Sequence, residues 1–410
     1  MAGPGTIRPD ANRLTAGYSG RILLIVSLCS VTSTLGWLVI PPLLPTIIEG
    51  LEITATQAGL ALSLLTGLSA VMRYPGGRLA DQLSRKTVLA FSIVAWIAGF
   101  SILAVTVNYV TFLIGVMLVG IGLGAFVPAA FAQLSDLFDR KQGRAFGVNN
   151  AAFSLGGILA SGLAIAVLAI GPWRLAFLPA IVTLLGILLL LHRWSDQEYV
   201  IRRVDLEVGP TIGRLVVEPR IRILLVVAAL FAFVWNGAIA FLPTFLEAER
   251  GLSTTMAGVA FASVFLTGVV ATPLSGALGD RFGTVLTILG SISFAVAGLC
   301  VVIVAPSSIG VVAGVVVFSV GLTGFWPVMT SYMMSVFPEG SKGGDYGAIG
   351  TVYMAAGSVG PTYVGATSEY VDYTGAYLGL GGCLLVCLVL IVWLRSRSGS
   401  RSTVLRHRTR

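Results

Sequence analysis

The chain contains twelve separate runs of apolar residues, each about 20 residues long, which is the length that one helix needs to cross a bilayer. The runs are rich in Gly and show no alternation of polar residues with period 2, so they predict helices and not barrel strands. Charged residues make up only 11% of the chain, against roughly 25% in soluble domains. The sequence therefore predicts an all-α polytopic membrane protein. Its runs are residues 22–47, 57–79, 87–107, 110–134, 145–170, 174–191, 223–246, 255–278, 284–304, 309–335, 346–368 and 374–394.

The 26 Lys and Arg residues are distributed unevenly among the predicted loops. With both termini placed in the cytoplasm, all of them except Arg174 and Arg250 fall on the cytoplasmic side. This asymmetry is the positive-inside rule, and it predicts a multi-pass protein of the plasma membrane with both termini cytoplasmic. The net charge of +8 needs no nucleic-acid partner, because the basic residues between Arg395 and Arg410 anchor the topology beside anionic membrane lipid.

One long polar interruption divides the runs into six and six. We predict a cytoplasmic linker over residues 193–220, because this stretch carries many charged residues and no apolar run. The remaining predicted parts are a cytoplasmic N-terminal segment (1–21), an N-terminal six-helix bundle (22–192), a C-terminal six-helix bundle (221–394) and a basic cytoplasmic tail (395–410).

The two halves of the chain match each other at nearly one offset. Trp37 matches Trp235, and Asp81 matches Asp280 one position further along. Such an internal repeat predicts two pseudo-symmetric six-helix bundles related by an axis along the membrane normal. Further matched pairs are Pro45 with Pro243, Gly59 with Gly258, Gly77 with Gly276, Pro128 with Pro327, Phe138 with Phe337 and Gly147 with Gly347.

The loop between the second and third runs carries Gly77, Leu79, Asp81, Arg85 and Lys86. This loop resembles the signature of the major facilitator superfamily, and the resemblance extends over essentially the whole chain. The loop departs from the signature at Gln82, where a basic residue is usual, and at Ser84, where Gly is usual. The resemblance implies a transporter, secondary active or facilitative, that moves a small solute by rocker-switch alternating access. It implies no enzymatic activity.

The resemblance also implies a conformational latch at this loop. Superfamily members often link the loop to an acid at the inner end of helix 4, a place that Asp136 occupies. Asp81, Arg85 and Asp136 are expected to pair when the cavity faces outward and to separate when it opens inward. The alternative is that these charges only set topology, but two acids stand where that rule favours bases. The expected latch residues are Gly77, Asp81, Arg85, Asp136, Arg140 and Asp280.

By the same resemblance, helices 1, 4, 7 and 10 line a central cavity. Polar and aromatic side chains on these helices are candidates for substrate binding, because they are costly to expose to lipid. A hydroxyl that bonds to its own helix, or a Trp in the interfacial aromatic belt, is the alternative interpretation. Asn236 is the strongest candidate, because an amide in hydrocarbon needs partners. The candidates on these helices are Ser30, Thr34, Trp37, Gln133, Trp235, Asn236, Thr323, Trp326, Thr330 and Tyr332.

Arg73 lies inside the second run, and an ionised side chain at mid-bilayer costs roughly 2.5–3.5 kcal/mol. It is either directed toward the loop at Asp81 by snorkelling, or it faces the cavity and attracts an anion. Nitrate porters and some organic-anion carriers of the superfamily use an Arg of helix 2 in a similar place. Their partner Arg of helix 8 is replaced here by Thr272, so the sequence does not support nitrate. We hypothesise a small organic anion or weak acid.

No Asp, Glu or His lies within the twelve runs, so an embedded carboxylate for proton coupling is not evident. Coupling then rests on a proton carried by the substrate, on a cation held by polar groups, or on nothing if the protein is a uniporter. The chain has no Gly-x4-Gly-Lys-Ser/Thr sequence, and we expect no cofactor and no metal. We expect a monomer whose partners are the solute, a coupling proton or cation, and membrane lipid.

Three other functions were weighed against transport of an anion. Efflux of hydrophobic or drug-like compounds is the leading alternative, with recognition by the Trp and Phe surfaces of helices 1, 7 and 10. A lipid-modifying enzyme would need clustered Asp, His or metal ligands near one membrane surface, whereas the acids of the inner surface are sparse. A receptor built on this fold usually adds a long signalling tail, whereas the predicted tail is short.

Overall fold

A computed structural model describes residues 17–138, 141–202, 219–336 and 342–408, which fold almost entirely into α-helices joined by short turns. Parts of the predicted N-terminal segment and linker, and the latch residue Arg140, lie outside these residues. The helices of the first half are α1 (Gly17–Leu38), α2 (Ile40–Leu51), α3 (Ala55–Gln82), α4 (Arg85–Ala104), α5 (Tyr109–Leu137), α6 (Gln142–Ile170), a 3-10 helix (Trp173–Phe177) and α7 (Leu178–Trp194). Those of the second half are α8 (Pro219–Ala248), α9 (Thr254–Phe282), α10 (Thr284–Val304), α11 (Ser308–Val336), α12 (Lys342–Gly357), α13 (Gly360–Tyr370) and α14 (Tyr373–Arg408).

Eleven helical segments among the described residues are long and apolar enough to cross a membrane. The first of them joins α1 and α2 into one span, Gly17–Leu51. The run predicted over 346–368 is instead divided into α12 and α13, which are only 16 and 11 residues long. Pro361 explains the division, because it has no N–H to offer to the carbonyl of Gly357 four residues earlier. These observations confirm the predicted all-α, multi-pass fold.

A similar interruption lies within the first span. α1 ends at Leu38, Val39 forms a turn, and α2 begins at Ile40. Pro41 and Pro42 follow at once, and neither has an N–H to continue the hydrogen-bond ladder of α1. The first span is therefore two helices placed end to end.

The described chain divides by its contacts into two compact units, and each unit packs its helices in the same order. In the first unit α1 packs against α6 and α7, while α4 packs against α5 and α7. In the second unit α8 packs against the divided helix α12–α13 and against α14, while α10 packs against α11 and α14. Each pair in the second unit corresponds to a pair in the first unit, because its two helices come six apolar runs later in the chain. The internal repeat predicted from sequence is therefore present in the packing.

Residues Ile40–Ala70 belong by their contacts to the second unit, although they precede the linker in sequence. This segment contains α2 and the first part of α3. Within the second unit, α2 packs against α8. The predicted boundaries of the two bundles follow the order of the chain, whereas the contacts assign this segment to the unit formed mainly by the second half.

Glycines allow close approach between helices in each of the two units. A Cβ atom added to Gly156 of α6 would lie 2.6 Å from the carbonyl oxygen of Val31 on α1. One added to Gly360 would overlap the carbonyl oxygen of Phe233 on α8. Both glycines are therefore required by packing of the interior helices.

Candidate functional site

Three charged residues of the predicted latch lie together in the first unit. Arg85 donates from Nη1 to Asp81 Oδ1 at 2.8 Å and from Nε to Asp136 Oδ2 at 3.2 Å. The side chain of Arg85 is 18% exposed, whereas Asp81 and Asp136 are 66% and 56% exposed. All three belong to the first unit.

The remaining latch candidates are placed differently. Gly77 faces Pro128 of α5. A Cβ atom added to Gly77 would lie 3.7 Å from the Cβ of Pro128, which is an ordinary van der Waals contact. Asp280, the repeat-equivalent of Asp81, is exposed at the end of α9. Ser84, where the superfamily signature has Gly, is the N-cap of α4 and accepts a hydrogen bond from the backbone N–H of Thr87. A helix cap thus accounts for the departure from the signature.

A buried polar contact joins α1 to α6. Ser30 Oγ donates to Asn149 Oδ1 at 2.7 Å, and the two residues are 4% and 6% exposed. Thr34, one turn further along α1, is 1% exposed and faces Gly156. A solute would therefore reach Thr34 only if α1 and α6 separated.

Two further candidates of the first unit are half-buried. Trp37 lies at the end of α1, beside the interruption at Val39, and its Nε1 is buried with no hydrogen-bond partner among the described residues. Arg73 lies within α3, two turns before Asp81. Trp37 thus offers an unused N–H donor, and Arg73 places a permanent positive charge on a membrane-spanning helix.

Gln133 lies at a contact with the start of the linker. Its Oε1 accepts a hydrogen bond from Gln197 Nε2 at 3.2 Å, and the residue is 2% exposed. The same segment is held by Lys86, whose Nζ donates to the carbonyls of His192 at 3.2 Å and Ser195 at 3.0 Å. Lys86 is 6% exposed. Gln133, which the sequence predicts to line the cavity, therefore binds the start of the linker.

Aromatic rings from three helices form a cluster in the second unit, defined here as Phe231, Phe325, Trp326 and Tyr353. Phe231 of α8 stacks on Phe325 of α11 with ring centroids 3.6 Å apart, and Trp326 stacks on Tyr353 of α12 at 5.3 Å. Phe231, Phe325 and Tyr353 are buried, while Trp326 is half-buried. Trp326 is thus the part of this aromatic cluster that a ligand would contact.

The other candidates of the second unit lie on the same helices. Trp235 and Asn236 of α8 and Thr330 of α11 are all half-buried. Trp235 and Thr330 each follow a member of the aromatic cluster by four residues, which places them one turn along the same helix face. Asn236 thus places a half-buried amide on a membrane-spanning helix.

α3 and α13 are joined by two sets of hydrogen bonds within the second unit. The N–H and hydroxyl of Thr56 donate to Glu369 Oε2 at 3.2 and 2.5 Å. The N–H and hydroxyl of Thr362 donate to Ser63 Oγ at 3.0 and 2.7 Å. The hydrogen bonds from Thr56, with others from the Thr54 side chain and the Thr56 backbone, lower the pKa of Glu369 below its ordinary value of 4.5.

Asn149, Thr56 and Glu369 are not among the residues that the sequence predicts for the site. Asn149 carried the same signal as Asn236, namely an amide within an apolar run, and the same argument would have found it. Thr56 and Glu369 lie at the ends of their runs and gave no signal, because polar residues are ordinary there.

Comparison with known proteins agrees with this architecture. A family model described as the Major Facilitator Superfamily matches residues 26–361 and 224–410. The solved structure of a bacterial homolog of the human lysosomal transporter Spinster shares the fold, with a TM-score of 0.76 and 18% identity over 93% of this chain and 97% of that chain.

Three curated relatives are informative. A probable sulfoacetate transporter of Cupriavidus necator is 25% identical over 81% of this chain and 83% of its own. A gentisate transporter of Corynebacterium glutamicum is 26% identical over 78% of this chain and 75% of its own. The multidrug resistance protein MdtG of Enterobacter lignolyticus is 29% identical over 59% of this chain and 60% of its own. Since the family model extends over well more than half of the sequence, the chain belongs to the Major Facilitator Superfamily and is a multi-pass membrane transporter of a small molecule, not an enzyme.

Proposed function

We propose that the chain transports a small organic anion or weak acid by rocker-switch alternating access. The observation that carries the proposal is the half-buried Arg73 on the membrane-spanning helix α3. A charge on such a helix is costly, and an anionic solute would offset part of the cost by pairing with it. Two relatives aligned over about four fifths of the chain are named for sulfoacetate and gentisate, which are both anions.

Other groups suit such a solute. The buried Nε1 of Trp37 is a donor with no partner among the described residues, and a carboxylate or sulfonate oxygen would accept its hydrogen bond. In this proposal Arg73 pairs with the negative charge of the solute.

Thermal unfolding of the purified protein provides the test. The panel contains aliphatic and aromatic carboxylates, a sulfonate, the neutral amide of each acid, sugars and organic cations. We expect one class of acid to raise the melting temperature while its amide does not. The shift should vanish in Arg73→Gln and persist in reduced form in Arg73→Lys, which keeps the charge but loses the bidentate geometry. Arg222→Gln, at an exposed position near the start of α8, is the matched control and should keep the full shift.

An equal shift in wild type and Arg73→Gln would refute the role of Arg73. Stabilisation by the amides as well as the acids would refute the requirement for an anion. Counterflow of the identified acid into proteoliposomes then measures transport itself, with the same three variants.

Efflux of hydrophobic or drug-like compounds is the second candidate. It is favoured by the aromatic cluster around Trp326 and by the similarity to MdtG. Under this function apolar aromatic compounds alone would stabilise the protein. Their effect would be lost in Trp326→Ala, kept in Trp326→Phe, and unchanged in Arg73→Gln.

We further propose that both termini are cytoplasmic, and the charge asymmetry of the loops supports this orientation.

We also propose that the transporter acts as a monomer, and that the contacts of α3 with α13 open and close during the transport cycle. Proton or cation coupling would appear as a dependence of counterflow on the corresponding gradient, whereas a uniporter would show none.

A further inference from the structure

A groove with a volume of about 360 Å³ lies in the second unit between α9, α10 and α11. Its walls are apolar side chains that are largely exposed, such as Leu274 (54%) and Phe294 (52%). Gly290 of α10 and Gly324 of α11 are also part of the lining. An added Cβ at Gly290 would meet no atom within 4 Å, so that glycine borders open space.

We infer that this groove binds one acyl chain of a phospholipid with an anionic headgroup. All three helices are membrane spans, so the exposed lining lies at the depth of the hydrocarbon. The lining includes four hydroxyl residues, Thr267, Ser275, Thr287 and Ser291. Two of them are bonded to their own helices, since Ser275 donates to the carbonyl of Thr272 at 2.9 Å and Thr287 to that of Gly283 at 3.2 Å. The groove therefore offers a chain of methylene groups an apolar surface, which a polar solute would not select.

Arg281 is the cation that a headgroup would meet at one end of the groove. Phe282 lines the groove where α9 ends, and the guanidinium of Arg281 lies 5.2 Å from the centre of its ring. Arg281 is exposed, as is the neighbouring Asp280. A lipid whose chain occupies the groove would place its phosphate near this cation, and one such basic residue favours an anionic over a neutral headgroup by about fivefold. By the predicted topology this end faces the cytoplasmic leaflet.

The test is photolabelling in nanodiscs with phosphatidylglycerol that carries a diazirine in one acyl chain. We expect adducts to concentrate in peptides from α9 and α10, and the same probe with a phosphatidylcholine headgroup to label these peptides about fivefold less. Gly290→Leu places a side chain in the groove and should abolish the labelling. Arg281→Gln should remove the preference for phosphatidylglycerol while keeping labelling by both lipids.

Gly382→Leu is the matched control, because Gly382 of α14 is an exposed glycine of the same unit and, like Gly290, has no atom near an added Cβ. It should leave the labelling unchanged. Labelling spread evenly over the spans, labelling that survives Gly290→Leu, equal labelling by the two headgroups in wild type, or crosslinked dimers in place of lipid adducts would each overturn the inference. The readout does not involve transport, so its outcome is independent of the proposed substrate.

Discussion

Ser30 on α1 and Asn149 on α6 share a 2.7 Å hydrogen bond between side chains that are both more than nine-tenths buried. The two residues are 119 positions apart in sequence, so this contact fixes how the two helices are rotated against each other. A polar contact between apolar helices has few competing partners, and it therefore specifies a single register of packing.

We predict that Asn149→Leu destabilises the protein, because it leaves the hydroxyl of Ser30 without its buried acceptor. A double-mutant cycle with Ser30→Ala should give a coupling free energy of about 0.6–1.7 kcal/mol, measured by unfolding in denaturing detergent. Ser92→Ala is the control, because Ser92 donates to the carbonyl of Val88 on its own helix. A coupling as small as that of the Ser92 control would contradict the prediction.

Asp81→Asn should impair transport with little loss of stability or expression. Asp81 is largely exposed, and an exposed ion pair contributes only about 0.2–1 kcal/mol. The measurement combines counterflow kinetics with the melting temperature. Asp136→Asn should act in the same way, whereas Glu198→Gln, an exposed acid at the start of the linker, should have no effect. Unchanged kinetics in Asp81→Asn would end the latch hypothesis.

The contact of Glu369 with Thr56 should depend on pH. The hydrogen bonds from Thr56 stabilise the ionised carboxylate and lower its pKa, so the contact is complete at neutral pH and is lost as the pH falls through that lowered value. Hydrogen exchange in residues 360–370, corrected for the intrinsic rate, should therefore rise only below pH 4.5. Glu369→Gln should remove the step. A step above pH 4.5, or the same step in the glutamine variant, would show that another group is responsible.

Lys86→Met should release the start of the linker from the first unit. The ammonium group donates to the carbonyls of His192 and Ser195 and lies 4.7 Å from the centre of the Tyr199 ring. Without it, residues 195–200 lose these contacts but keep the hydrogen bonds of Gln197 with Gln133 and with the Lys86 backbone, and that of the Val200 N–H to Thr87. Chymotrypsin should therefore cleave after Tyr199 faster. Lys86→Arg should show an intermediate rate. Arg144→Met, at an exposed position, is the control, and a wild-type rate in Lys86→Met would contradict the prediction.

Much of the fold can be predicted from the sequence, because the length of each apolar run and the repeat at Asp81 and Asp280 depend only on positions along the chain. The division of the run over 346–368 was not predicted, although Pro361, which divides it, lies within that run. The site is less predictable, because which polar side chain meets which helix depends on helix rotation. Helix rotation places Gln133 against the linker and Thr34 against α6. As residue types, Gln and Thr suit a polar cavity as well as the Asn at position 236 does. Apolar periodicity carries no such information when every face of a span is apolar.

Lys86 has a consequence for the order of events during synthesis. Its acceptor at Ser195 lies 109 residues later in the chain, so the acceptor has not yet been made when α4 leaves the ribosome. Until Ser195 has been synthesised, the ammonium group of Lys86 has to remain hydrated at the membrane surface. The first six helices therefore reach their final arrangement only after the start of the linker has emerged, and nascent chains that stop before Ser195 should remain more accessible to protease than chains that extend past Val200.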